Sequence, residues 1–303
     1  MHLARLVVPL MLVACGPSGR ASVDAGDVGD DGATSDAGPC EDVVDVVFVL
    51  DTSSSMDFVL SKLEAQIPQV VTATNAVAAD AHFGLIVFQD NHLLDVTGPL
   101  EAGKVHTSAD SLRSAFRYYR ETFTAFDRNP GDGPSGLDTQ NPICEENSLD
   151  ALHAAAVDFP WRSNATRVII LATDDTFLER SDNYGDRDGD GDTSSTTYPR
   201  EGDYPAAFTL TETAGALKAA RTRVFSFSRI RQPSIGSRCS TGRRMPWGDI
   251  TDGWTTPYLG QVPIPMQTDG ANYDLDKVKA GTLLLAETIN QVVLDSYCVP
   301  PVL

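Results

Sequence analysis

The chain has 303 residues, of which 42% are hydrophobic, and it carries a formal net charge of −19 at pH 7 with a sequence pI near 4.5. This length allows one large domain with appendages or two small domains, and the hydrophobic content is sufficient for a core. The negative charge argues against nucleic-acid binding, which requires a basic face. It suits an exported protein or one that gathers cations.

The first 39 residues have the composition of a leader and a tether. Residues 1–14 combine a short basic start with an apolar core that is too short to cross a bilayer as a mature helix, which predicts a signal peptide. The junction at Cys15 resembles a bacterial lipobox, with lipidation of the cysteine; the alternative is an ordinary signal peptide with a chance cysteine. Residues 15–39 are rich in Gly, Ala, Ser and Asp and predict a disordered acidic tether. Because Gly16 is not the Asp associated with inner-membrane retention, we expect an outer-membrane lipoprotein on the periplasmic or surface side.

The remaining cysteines predict two disulfides, because an even number in an exported chain indicates a disulfide framework. Cys40 precedes the first predicted strand and Cys298 follows the last predicted helix, and the termini of a domain often lie close together. We therefore expect a Cys40–Cys298 bond, together with a Cys144–Cys239 bond between two long loops. A catalytic cysteine is the alternative, but no histidine is placed to suggest a dyad.

Apolar runs predict strands that are buried on both faces, as in a parallel sheet. The clearest run, at residues 43–50, is almost unbroken and rich in valine. A short edge strand is expected at residues 92–96 and a last strand near Gln261–Met266. The other predicted strands cover residues 83–88, 168–172 and 224–228.

Apolar residues that recur at intervals of three and four predict helices between these strands. Pro68 should kink or split the first helix, and Ser148 is the expected N-cap of the third. The alternation predicts an α/β fold with a doubly wound, mostly parallel sheet flanked by helices. The predicted helices cover residues 60–77, 109–126, 148–159, 206–223 and 274–295, and long loops cover residues 127–147, 178–204 and 229–272.

Polar side chains follow two of the predicted strands directly. Asp51 ends the first strand and is followed by the hydroxyls of Ser53 and Ser55, while Thr173 and Asp174 follow a later strand. Open α/β sheets bind their ligands at the carboxyl ends of strands, and oxygen atoms are the ligands that Mg²⁺ and Mn²⁺ prefer. The alternative for the first motif is a strand that runs into a capped helix start, with Ser or Asp as the N-cap.

The Asp-x-Ser-x-Ser run at residues 51–55 resembles the metal-ion-dependent adhesion site (MIDAS) of von Willebrand factor A domains and integrin I domains. The pair Thr173-Asp174 is similar to the Thr-Asp that completes this site. Residues 146–152 resemble the integrin β-subunit I-like domain, in which a Glu supplies the middle ligand. The resemblance implies that residues 40–303 form a Rossmann-like von Willebrand A domain. Its implied metal ligands are Ser53, Ser55 and Glu146 directly, and Asp51 and Asp174 mainly through water.

The resemblance further implies a Mg²⁺ or Mn²⁺ ion that takes an Asp or Glu carboxylate from a partner protein. Glu145 and Thr139 are rivals of Glu146 for the middle position. The two flanking metal sites of integrin β subunits are matched only in part, at Asp57 and at Asn141. Three carboxylates around one divalent ion leave a net charge near −1, so we expect weak or conditional binding of an anionic group, or a second cation nearby.

These features predict a membrane-anchored, metal-dependent adhesion or protein-binding module that is not an enzyme. One alternative is a structural lipoprotein of a cell-envelope complex, with a metal that only stabilises it. A metal-dependent hydrolase is less well supported, because the sequence shows no Gly-x-Ser-x-Gly elbow, no phosphate loop and no evident His–carboxylate pair.

Two further charged segments are candidate binding sites. One, at residues 186–192, resembles the start of an EF-hand-type calcium loop, with a solvated acidic loop as the equal alternative. The other is a group of arginines at residues 221–244 that includes Arg229; it could meet an acidic partner, but pairing with the domain's own acidic loops is favoured. The candidate calcium ligands are Asp186, Asp188, Asp190 and Asp192.

Overall fold

The structure is a computed structural model, and it describes residues 43–89, 91–124, 145–180, 206–231 and 250–299. Several predictions lie outside these ranges and stay predictions: the signal peptide and tether, lipidation at Cys15, and the calcium site at residues 186–192. Both predicted disulfides also remain untested, because Cys298 is the single cysteine within these ranges. No helix among the described residues is long and apolar enough to cross a membrane.

Six strands form one sheet, and they are β1 (Val43–Asp51), β2 (Asp80–Phe88), β3 (His92–Leu94), β4 (Thr166–Ala172), β5 (Arg223–Ser228) and β6 (Asn272–Asp274). Their spatial order is β3–β2–β1–β4–β5–β6. Strand β3 is antiparallel to β2, and the other neighbouring pairs are parallel. The predicted α/β fold with a mostly parallel sheet is confirmed.

Helices cover both faces of this sheet. On one face they pack against the even-numbered residues of β1, such as Val46 and Phe48, and on the other against Val47 and Val49. Because β1 is central and contacts helices on both sides, all of these residues are fully buried, which explains the unbroken apolar run. The first layer contains α1 (Asp57–Val77), α2 (Ala109–Tyr119), α6 (Leu275–Ala280) and α7 (Leu285–Ser296); the second contains α3 (Ser148–Val157), α4 (Leu210–Ala219) and α5 (Ile264–Gln267).

The strand order reverses between β1 and β4. From β1 the chain builds outward to β2 and β3 on one side, and it then returns to add β4, β5 and β6 on the other. Residue Leu50 lies opposite Ala172 in the parallel ladder, so the carboxyl ends of the two strands are adjacent. Such a switch point opens a crevice at the strand ends, where α/β sheets bind their ligands.

The helices of the first half differ from the sequence-based predictions at defined points. Helix α1 continues through Pro68 without a break, because residues on both sides of the proline, including Leu63 and Val70, are buried in the core. That packing outweighs one lost backbone hydrogen bond. The regular part of α2 stops at Tyr119, and residues 120–124 continue as a wider π-helical turn.

Two further helix starts also differ from the predictions. The N-cap of α3 is Asn147, not Ser148. Helix α4 begins at Leu210 instead of near residue 206, because Thr209 forms a capping box with Glu212: each side chain bonds to the backbone N–H of the other.

Two predictions near the C-terminus were wrong. The segment Gln261–Met266 is not a strand; Pro263 and Pro265 lack the N–H groups that a ladder needs, and α5 begins there instead. The last strand is β6. The single helix expected at residues 274–295 is two helices, since Gly281 adopts a left-handed conformation (φ 73°) that ends α6.

Candidate metal centre

The carboxylate of Asp51 lies buried at the end of the central strand. Its Oδ1 accepts a hydrogen bond from the backbone N–H of Ser53 (2.7 Å), and its Oδ2 accepts one from Thr173 Oγ1 (3.0 Å). Thr173 directly follows β4, the parallel neighbour of β1. The end of one strand therefore holds the carboxylate of the other in place.

Ser53 and Ser55 connect Asp51 to Asp174, the first through its backbone N–H at Asp51 and both through their hydroxyls toward Asp174. After β1 the chain makes a single 3-10 turn, in which the Met56 N–H donates to the Ser53 carbonyl oxygen at 3.0 Å. Within this turn Ser53 Oγ lies 3.0 Å from Ser55 Oγ, and Ser55 Oγ donates to Asp174 Oδ1 at 2.9 Å. The structure thus joins four of the five predicted ligands into one hydrogen-bonded cluster.

Negative charge in this cluster is poorly compensated. Burial, and then the neighbouring charge of Asp174, raise the pKa of Asp51 to about 7. Burial, followed by the charges of Asp174 and Asp51, also raises the pKa of Asp175 well above its ordinary value. Carboxyl groups whose ionised forms are disfavoured in this way gain stability from a nearby cation.

A guanidinium group already contacts the cluster. Nη2 of Arg229, in the segment after β5, donates to Asp174 Oδ2 at 2.8 Å. The prediction that the basic cluster pairs with the domain's own carboxylates is confirmed at this residue. Its particular partner could not be predicted, because Arg229 and Asp174 are 55 positions apart and meet only through the β4–β5 pairing.

The fifth predicted ligand, Glu146, lies just before α3. Its backbone N–H donates to the Thr176 carbonyl oxygen (3.1 Å), and its own carbonyl accepts from the Leu178 N–H (3.0 Å), so it runs beside the segment that follows Asp174. Both Glu146 and its rival Glu145 are buried. The other rival, Thr139, lies outside the described residues, and the identity of the middle ligand stays a prediction.

The donor atoms suit a hard divalent cation. Across the described ranges, no three Asp, Glu, His or Cys side chains come close enough together to hold an ion. Mg²⁺, however, is commonly bound through one or two carboxylates and keeps several water ligands. Asp51 and Asp174 supply two carboxylates, and the hydroxyls of Ser53 and Ser55 supply further oxygens, so the chemistry of the cluster fits such an ion.

A second buried polar network was missed by the sequence analysis, which found no His–carboxylate pair. His106 Nε2 lies 2.8 Å from Asp95 Oδ2, and His106 Nδ1 lies 2.7 Å from Ser111 Oγ. Asp95 also accepts hydrogen bonds from Tyr119 Oη (2.9 Å) and from Thr97, through both its backbone N–H and its hydroxyl. These residues lie in the loop after β3 and on α2, and no regular spacing joins them.

This His106 network is a structural brace. The side chains of His106 and Asp95 are both fully buried, and the backbone of His106 exchanges two hydrogen bonds with Phe83 on β2 (2.8 and 2.9 Å). Burial alone would raise the pKa of Asp95. The hydrogen bonds from His106, Tyr119 and Thr97 outweigh burial and hold this pKa below its ordinary value. A carboxylate with so many internal donors is satisfied without a ligand.

Comparisons with known proteins give two distant structural similarities. No family model and no curated protein matches the chain. Among solved structures it is similar to the conserved hypothetical protein BatB from Bacteroides thetaiotaomicron, with 16% identity over 84% of this chain and 98% of that one and a TM-score of 0.41. It is also similar to proximal thread matrix protein 1 from the mussel byssus, with 12% identity over 86% of this chain and 49% of that one and a TM-score of 0.40. The fold class is therefore assigned from the sheet topology of this chain itself, which is that of an α/β protein with a mostly parallel six-stranded sheet.

Proposed function

We propose that this protein is a metal-dependent adhesion or protein-binding module of the von Willebrand factor A type. Asp51, Ser53, Ser55 and Asp174 hold a Mg²⁺ or Mn²⁺ ion, directly or through water. The ion supplies a positive charge and an open coordination position, which take an Asp or Glu carboxylate of a partner protein. A lipid on Cys15 anchors the module in the outer membrane.

The observation that carries this proposal is the pairing of two carboxylates at the switch point of the sheet. Asp51 ends β1 and accepts from the Ser53 backbone N–H at 2.7 Å. Asp174 follows β4 and is joined to Ser53 through the hydroxyls of Ser53 and Ser55, with contacts of 3.0 and 2.9 Å. Burial of two neighbouring carboxylates is costly, and these two lie at the place where this fold class binds its ligands.

Two alternatives remain distinct from this one. In the first, the protein is a structural component of a cell-envelope complex and its metal only stabilises the fold. In the second, the metal serves a hydrolase. The second has less support, because the close pair His106–Asp95 is fully buried in the His106 brace. The other His–carboxylate pair among the described residues, His82–Asp80 at 3.6 Å, lies at the start of β2, away from the carboxyl ends of the strands.

Calorimetric titration of Mg²⁺, Mn²⁺ and Ca²⁺ into chelator-treated protein tests the metal site. We expect Mg²⁺ or Mn²⁺ to bind one site that is lost in Asp51→Asn. Ser55→Ala should bind about tenfold more weakly, since it removes one oxygen ligand. Ser54→Ala is the matched control, because it makes the same change one residue away, and it should bind as the unmodified protein does.

Selection of a peptide library on the protein in Mg²⁺, with elution by chelator, tests the partner. Peptides that contain Asp or Glu should be enriched on the unmodified protein and not on Asp51→Asn. If metal binds and raises the melting temperature but no carboxylate peptide is enriched, the structural alternative replaces the proposed one. If no divalent metal binds, the adhesion function is wrong.

A further inference from the structure

Arg229 lies between the metal-site cluster and helix α6. Its Nη2 donates to Asp174 Oδ2 at 2.8 Å, while its Nε lies 4.0 Å from Asp276 Oδ1. Its carbonyl oxygen accepts a hydrogen bond from Thr255 Oγ1 (3.2 Å), which holds the backbone in place. The backbone is therefore fixed, and the guanidinium is within reach of two different carboxylates.

Arg229 is held by fewer hydrogen bonds than Arg162, another arginine that pairs with a buried carboxylate. Arg162, at the opposite end of β1, donates to the buried Asp45 from its backbone N–H (2.9 Å) and from its Nε (2.8 Å), and it reaches Asp80 and the Val44 carbonyl oxygen as well. Arg229 makes one close side-chain contact with Asp174. Arg162 is thus clamped in one position, whereas Arg229 needs to exchange one hydrogen bond in order to move.

We propose, resting on the function proposed above, that Arg229 is a tethered cation that competes with the divalent metal for Asp174 and transfers to Asp276 when the metal binds. A guanidinium and a divalent ion repel each other at the same carboxylate. Metal entry therefore requires that the Asp174–Arg229 contact break. The affinity of the site is set partly by how readily the arginine leaves.

Asp276 is placed to receive the arginine. Its side chain is 61% exposed, so it reaches the guanidinium without losing much hydration, and at 4.0 Å a small movement converts the present approach into a hydrogen bond. Asp276 lies in the first turn of α6, where its backbone N–H donates to the capping side chain of Asp274. The receiving carboxylate is consequently attached to a regular element.

The test is calorimetric Mg²⁺ titration of four forms of the whole protein: unmodified, Arg229→Gln, Asp276→Asn and the double variant. Arg229→Gln should bind Mg²⁺ about tenfold more tightly, because the competing cation is gone. Asp276→Asn should bind about threefold more weakly, because the displaced arginine loses its alternative partner. The double variant should match Arg229→Gln, since Asp276 acts only through Arg229.

Two controls accompany this cycle. Arg180→Gln breaks another arginine–carboxylate pair, with Glu212, away from the cluster, and its Mg²⁺ affinity should not change. Arg229→Lys keeps the positive charge, so it should stay close to the unmodified affinity and provides a readout if the glutamine variant fails to fold. Circular dichroism in chelator establishes that each variant is folded.

The outcomes separate the two proposals. Equal Mg²⁺ affinity of the unmodified protein and Arg229→Gln, or weaker binding by a folded Arg229→Gln, overturns the competition and leaves the metal site intact. A double variant that binds Mg²⁺ about threefold more weakly than Arg229→Gln overturns the transfer to Asp276, because Asp276 then acts without the arginine. Absence of Mg²⁺ binding from all four forms, together with absence of Mn²⁺ binding from the unmodified protein, contradicts the proposed function itself.

Discussion

Asp51 and Asp95 are both buried carboxylates that follow or end strands of the same sheet, yet their surroundings have opposite effects. The pKa of Asp51 is raised to about 7 by burial and by the charge of Asp174, whereas hydrogen bonds hold the pKa of Asp95 below its ordinary value in spite of burial. The difference lies in the neighbours. Asp95 is surrounded by donors, and Asp51 shares its pocket with a second acid.

This contrast separates a brace from a binding site. A buried acid with a full set of internal donors stabilises the fold and has no use for a ligand. A buried acid beside another acid lowers the stability of the fold when no cation is bound. A bound cation offsets the repulsion between the two carboxylates. Burial alone does not distinguish the two cases; the count of donors against acceptors around each carboxylate does.

The largest expected effect is a loss of folding stability when the His106 network is disrupted. Asp95→Asn keeps the shape of the side chain but replaces charge-assisted hydrogen bonds and turns one acceptor into a donor. We expect it to lower the free energy of unfolding by about 3 kcal/mol, measured by urea denaturation. A loss below about 1 kcal/mol would contradict the structural role given to the His106 network.

The second effect is the pH dependence of that loss. Because the folded-state pKa of Asp95 lies below its unfolded value of about 4, its contribution to stability is present above that pH and disappears as the pH falls through the folded-state value. The stability difference between the unmodified protein and Asp95→Asn should therefore shrink below about pH 4. A difference that stays constant down to pH 2 would assign the loss to packing instead of charge.

A third effect, of the opposite sign, is expected at Asp51. In chelator, the raised folded-state pKa means that stability declines as the pH rises from about 4 to about 7. Asp51→Asn removes this decline, so at pH 8 in chelator it should be more stable than the unmodified protein. At pH 4 the two should be equal. If Asp51→Asn is destabilised at both pH values, the Asp51 site is a second brace.

The parts of the site that could be predicted from sequence are local to strand ends. The apolar run before Asp51 and the one before Thr173 show where two parallel strands stop, and parallel neighbours bring such ends together. Ser53 and Ser55 follow within one turn. That β1 and β4 are neighbours is a tertiary contact, and the resemblance of Thr173-Asp174 to the von Willebrand factor A motif, not the local pattern, implied it.

Contacts between distant segments could not be predicted in the same way. Arg229 is one of several clustered arginines, and only the pairing of β4 with β5 selects it for Asp174. His106 and Asp95 meet because a loop folds back on β2, which leaves no periodic signal. The errors at Pro68 and at residues 261–266 have a similar origin: burial overrides a helix breaker in the first case, and two prolines override apolar composition in the second.

The edge strands of the sheet limit how a partner can attach. Strands β3 and β6, at the two edges, are three residues each, whereas the four strands between them have six to nine. Short edges offer few free backbone groups for a strand from another chain, and proteins use this device against edge-to-edge aggregation. A partner that lies along a sheet edge as an added strand would thus gain little here. Short edge strands therefore disfavour the joining of two copies of this sheet edge to edge.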